Sequence, residues 1–170
     1  MANQFNKKVK TTLVMVLTFV IMLVLSACGG NKVEQVAADL GLSGIEGRVV
    51  SASSFREGSG YAMTFTAIDV KDSGVLNEIK ESDDWRELPM SDQLEVGVYG
   101  ASDGKNVLPP RIHDSDGAPV FPRVDKGYYR VIDLDYVENN DEETKGPDYD
   151  YIMAIYDSDK DKLFYAKFTN

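Results

Sequence analysis

The clearest alternation of apolar and polar positions along the chain lies at Tyr61–Val70, YAMTFTAIDV. Tyr61, Met63, Phe65 and Ala67 fall on one side, and Ala62, Thr64, Thr66 and Ile68 on the other. A period of two is the spacing of a strand. Further strand patterns occupy residues 45–52, 94–99 and 128–137. Two apolar runs, YIMAIY at 151–156 and LFYAKF at 163–168, flank the polar turn DSDKDK. That arrangement predicts an antiparallel hairpin at the C-terminal end. Helical spacing appears twice. Val33, Val36, Ala37 and Leu40 repeat at helical intervals before Gly41, a suitable helix stop. Val75, Leu76 and Ile79 form an apolar stripe in a segment that Asp72 or Ser73 can cap and that runs to about Ser82.

The intervals between these elements are polar or rich in turn residues. FREGSG at 55–60 and ASDG at 101–104 read as turns, and ENNDEETKGPD at 138–148 as an acidic loop. Residues 105–127 hold four of the six prolines and read as a long irregular connection, because proline cannot feed a sheet ladder. The pattern predicts an α+β fold. An antiparallel sheet of about five strands packs against a helix near 73–82, with a weaker helix near 33–40 and the closing hairpin. An all-β sandwich or barrel is the alternative.

The N-terminus changes the picture. Lys7, Lys8 and Lys10 precede an uncharged apolar run at residues 11–25, and Leu25-Ser26-Ala27-Cys28 follows. A basic head, an apolar middle too short for an ordinary spanning helix and small residues at the exit mark a secretory signal. The segment Leu25–Cys28 resembles the lipobox of bacterial lipoproteins. The resemblance covers residues 1–28 and carries an address rather than an activity. It implies that the Cys28 thiol receives a diacylglyceryl group and that cleavage leaves Cys28 as the new N-terminus. The expected organisation is therefore a signal peptide at 1–27, a lipidated cysteine and tether at 28–32, and one extracytoplasmic domain at 33–170. The membrane is a partner through the lipid on Cys28, and the expected location is the extracytoplasmic face of the cell membrane. More than one acyl chain suits stable anchoring, since a single chain binds a bilayer only marginally.

Charge and cysteine content then narrow the function. Removing residues 1–27 takes three lysines and no acid, leaving 15 basic against 28 acidic side chains, a net charge of −13. Without basic clusters, nucleic acid is excluded as a partner. Cys28 is the only cysteine. Once it is lipidated, no disulfide, cysteine nucleophile or thiolate metal site remains.

Candidate chemistry is sparse. His113, the only histidine, sits in PPRIHDSDG, and its neighbours Asp114 and Ser115 lack the nucleophile elbow and oxyanion motif of a hydrolase. A solvated loop histidine is the expectation. Asp157, Asp159 and Asp161 copy the first positions of an EF-hand loop, but Lys162 and Phe168 occupy the glycine and glutamate positions, so a polar hairpin turn is expected. Asp133 and Asp135 share one strand face, a spacing that any D-x-D strand gives. The acids at 141–143, with Asp148 and Asp150, read as a solvated charge run able at most to hold a hard cation through oxygens. No phosphate loop or dinucleotide fingerprint is present. No cofactor and no catalytic residue are expected.

Nine tyrosines and one tryptophan suit either strand packing or an interface. Residues 105–127 carry Val107, Leu108, Ile112, Val120, Phe121 and Val124, more apolar groups than a solvated loop needs. Either all six cover the open end of the sheet, or those not used as a local core form an exposed partner surface with Trp85, of which Phe121 is the other candidate member. The functional expectation is a non-enzymatic, protein-binding or accessory module of the cell envelope. A cation- or small-ligand-binding lipoprotein and a small hydrolase are the alternatives.

Overall fold

The centre of the molecule is the closing hairpin. In a computed structural model describing residues 32–56, 58, 60–134 and 150–169, β7 (Tyr151–Asp157) and β8 (Lys162–Thr169) pair in register, Ile155 opposite Phe164. Their near-continuous apolar runs suit strands with both faces covered, where an alternating polar face would be buried without partners. Around them assemble β1 (Gly47–Arg56), β2 (Ala62–Val70), β3 (Arg86–Glu87) and β6 (Gly127–Asp133). The strand order is β1-β2-β8-β7-β6-β3, and every neighbouring pair is antiparallel. The sheet is open and not a barrel, and the fold is α+β.

Two cores lie on opposite faces of this sheet. On one face Ile68, Ile152, Ala154, Tyr156, Leu163 and Tyr165 meet α1 (residues 32–39) and α2 (Ser73–Glu81). Helix α1 ends as its sequence requires. Gly41 takes φ +61°, and Leu42 N–H bonds Ala37 C=O at 2.9 Å while Gly41 N–H bonds Ala38 C=O at 3.1 Å, a Schellman termination. Helix α2 is N-capped by Asp72, whose carboxylate accepts from Gly74 N–H at 2.8 Å. On the other face Met63, Phe65, Met153, Ile155, Phe164 and Phe168 meet α3 (Asp92–Tyr99) and the proline-rich segment.

Helix α3 corrects the strand expected at 94–99. Ser91 caps it by accepting from Leu94 N–H at 3.4 Å, Asp92 and Glu95 stand in the first turn, and Gly100 ends it at φ +72°. Caps at both ends outweigh the strand preference of Val96 and Val98. The first strand also runs further than expected, into the 55–60 turn segment. The proline-rich connection is irregular as expected. Its ordered pieces are β5 (Val107–Leu108), paired with β4 (Ala101–Ser102), and a bridge between His113 and Pro119. Residues 135–149, which include Asp135, the acids at 141–143 and Asp148, lie outside the described residues, as does Cys28.

Candidate functional site

A concavity lies on the helical face of the described residues. It is a cleft of about 590 Å³ between the loop after α1 and helix α2, with Trp85 and Arg130 in its wall. The local sequence builds it. Gly41 turns the chain out of α1, and Glu78 of α2 accepts from Ser43 N–H at 2.7 Å and from Ser43 Oγ at 2.8 Å, fixing the loop at a distance from the helix. Arg130, on β6, reaches across the end. Its guanidinium donates to Leu40 C=O at 2.6 Å and to Asp84 at 2.5 Å. Arginine suits this place because its planar fork serves a helix-end carbonyl and a carboxylate together. The rest of the lining mixes the apolar Leu40, Leu42 and Val75 with the polar Asp72, Asn77 and Glu81.

Trp85 and Phe121 do not form the exposed patch expected of them. Trp85 is 6% exposed and belongs to the core under α1 and α2. Phe121 is 2% exposed on the opposite face, its ring edge-on to Phe65 at 5.8 Å. Ile112 is buried with it, and Val120 and Val124 are partly buried. The proline-rich loop is thus the lid of the second core, and its apolar groups are spent on Phe65 and Val98 rather than on solvent. The exposed remainder is the adjacent pair Val107 and Leu108 on β5.

The indole of Trp85 has a further property. Its Nε1–H is buried with no hydrogen-bond partner among the described residues, whereas buried indole donors ordinarily find one. Sequence alone signals only that a tryptophan follows two acids; it does not show that the ring sits in a cleft wall beside a guanidinium supplied from residue 130.

His113 corrects the expectation of a solvated ring. It is half-buried, stacked on Tyr61 at 5.9 Å and tilted against Phe55 at 6.2 Å, while Nδ1 lies 2.8 Å from Asp114 C=O. Beyond Tyr61 the cluster continues through Phe168 to Tyr151, whose rings stack at 4.4 Å. Burial pushes the Tyr151 hydroxyl up to about 12, the negative charge of the nearby Tyr61 phenolate adding to it and the Arg111 charge opposing. These contacts give the histidine a packing role.

The closing turn is held by its own backbone. The Asp157 carboxylate accepts from Asp159 N–H and Lys160 N–H at 3.1 Å each and from Lys160 Nζ at 2.8 Å. Asp161 sits at φ +47° and accepts from Tyr156 Oη at 3.0 Å. The aspartates therefore shape a polar hairpin turn. Among the described residues no group of three or more acidic, histidine or cysteine side chains is placed to hold a metal ion.

The second notable surface is an edge. Strand β1 is ten residues long, pairs among the described residues only with β2, and is exposed or half-exposed throughout. From Val49 to Phe55 it carries no charged side chain. Its outward backbone groups follow from the ladder. Lys71 N–H bonds Glu46 C=O, and Val70 N–H bonds Asp161 C=O, so odd positions of β2 face β1 and even positions face β8. Ser51, Ser53 and Phe55, opposite Ala67, Phe65 and Met63, therefore bond inward, and Ala52, Ser54 and Arg56 point their backbone groups to solvent. The opposite edge is shorter and charged, with two-residue β3 bearing Arg86 and Glu87. No protein-family model matches the chain, and no curated protein or solved structure matches it either.

Proposed function

We propose that the chain is a lipid-anchored, extracytoplasmic accessory protein that performs no chemistry of its own and binds an extended segment of another envelope polypeptide along β1. The open edge carries this reading. A long, exposed edge strand without charge along its central residues, as β1 is from Val49 to Phe55, is a template for a further strand, and proteins that do not use such an edge usually block it with charge, proline or a cover. Here the edge that is blocked is the other one. Both sheet faces are already packed, so binding energy is available at the edge rather than on a face. The lipobox-like segment at 25–28 supplies the address, and the short tether keeps the domain close to the bilayer.

The test is co-purification from detergent-solubilised membranes with Ser54→Pro as the comparison. Proline at this outward-facing position removes a donor the fold does not use but a docked strand needs. The expected result is a stoichiometric partner with the native chain and its loss with Ser54→Pro at nearly unchanged melting temperature. The same partners in both samples would dismiss the edge as the binding surface.

The cleft beside Trp85 favours a second reading, that of a small-ligand-binding lipoprotein, because it joins a concave surface to an unused buried donor.

A further inference from the structure

We infer that the cleft between the loop after α1 and helix α2 binds a small zwitterion, a free α-amino acid or a short peptide with unblocked ends. Two kinds of group line it. One is Arg130, with a side chain only 17% exposed and, among the described residues, two bonds, to Leu40 C=O and Asp84, from a guanidinium's five donors. It is a donor only and calls for an acceptor oxygen, as does the buried, unpartnered Nε1–H of Trp85 in the same lining. The other kind is carboxylate. Glu81 is exposed and has no hydrogen bond or ion pair among the described residues, and Asp72 is engaged only by its own helix end.

Charge selects among ligands. A simple anion meets Arg130 but also the field of Asp72, Glu78, Glu81 and Asp84. A simple cation meets those carboxylates but also approaches a guanidinium. A zwitterion satisfies both kinds of group: its carboxylate takes Arg130 donors, and its ammonium group pairs with Glu81. The volume, about 590 Å³, is ample for an amino acid or a di- or tripeptide and falls in the range of ordinary ligand sites. The loop that forms the rim is already held by the Ser43–Glu78 bonds, so little ordering remains to oppose binding.

Trp85 is the only tryptophan in the chain, so its emission reports on this cleft alone. The experiment titrates the folded extracytoplasmic chain with glycylglycine, glycine, acetate and ethylamine, following indole fluorescence and melting temperature together. Saturable change with glycylglycine or glycine, and none with acetate or ethylamine at the same concentrations, is expected. Arg130→Gln is expected to weaken binding at least about tenfold, as loss of a charge-assisted hydrogen bond does. Because that change also removes the tie to Leu40, Glu81→Gln provides the variant that touches no internal bond. It is expected to weaken binding severalfold at unchanged melting temperature. No saturable response to either zwitterion, an equal response to acetate alone, or full binding in Glu81→Gln would each overturn the assignment. The site is remote from Ser54, so loss of strand binding and loss of zwitterion binding are separate outcomes.

Discussion

The Tyr165 hydroxyl donates to Asp39 Oδ2 at 2.5 Å, joining the last strand of the sheet to helix α1 across 126 positions of sequence. Lys167 approaches the same carboxylate at 3.9 Å. The described part of helix α1, residues 32–39, is held to the sheet by its apolar stripe and by this bond. Tyr165→Phe keeps the ring and removes the donor. It is expected to lower stability by about 1–2 kcal/mol. Urea unfolding followed by circular dichroism measures it, with an unchanged denaturant slope if only the bond is lost.

Buried tyrosines shape the response to alkali. Burial and then the Asp39 bond hold the Tyr165 phenol well above its ordinary value, and burial and the Asp161 bond do the same for Tyr156. Tyr151 rises to about 12, chiefly from burial. Each group is neutral in the folded chain at a pH where it ionises in the unfolded one. Their contribution is therefore fully present below about pH 10, the unfolded value, and is lost as pH rises from there through the folded values. Melting temperatures taken between neutral pH and about pH 12 should be level first and then fall steeply. A flat profile to the alkaline end would contradict the burial of these rings.

The hairpin that organises the core should be the least tolerant of truncation. Ile155 is fully buried and Phe164 is 7% exposed, and they face each other across β7 and β8. Either change to Ala is expected to remove about 2–5 kcal/mol. Phe121→Ala belongs with them, since its ring is core. It should lower the melting temperature by several degrees, and any effect on binding should follow from unfolding alone.

Much of this architecture was legible from residue spacing. The alternation at Tyr61–Val70, the runs at 151–156 and 163–168, and the stripe Val75–Ile79 under an Asp72 cap all became elements near their expected bounds. Local patterning and tertiary packing agree there, which is why spacing sufficed. The failures lie where they diverge. At 94–99, valines suggested a strand while Ser91 and Gly100 specified a helix. Trp85 and Phe121 have no neighbours in sequence that reveal what covers them. The burial of Trp85 depends on α1 and α2, and that of Phe121 on Phe65, 56 positions earlier. The cleft was illegible for the same reason: its guanidinium comes from β6 and its loop from the end of α1.

The anchor proposal stands on Cys28 alone. Cys28→Ala is expected to abolish incorporation of labelled fatty acid and to move the chain from the detergent phase to the aqueous phase or leave an uncleaved precursor. Labelling that survives the substitution would remove the lipobox reading while leaving the fold untouched.

Two adjacent serines test the edge geometry without any partner. Ser53 and Ser54 are both exposed, both small and both in β1, so composition and burial give no reason for them to differ. The ladder does. Ser53 lies opposite Phe65, whose backbone groups face β1, and Ser54 lies opposite Thr64, whose groups face β8. Proline at 53 removes an inward donor and breaks the bond that holds β1 to β2, whereas proline at 54 removes a donor that points to solvent. Ser53→Pro is therefore expected to cost at least about 2 kcal/mol, or roughly 8 °C in a domain of this size. Ser54→Pro is expected to stay within about 1 kcal/mol, the range of mild strain from a fixed φ in a strand. Equal losses at the two positions, or the larger loss at 54, would mean that the register of β1 is displaced by one residue and that the outward face is Ser51, Ser53 and Phe55 instead.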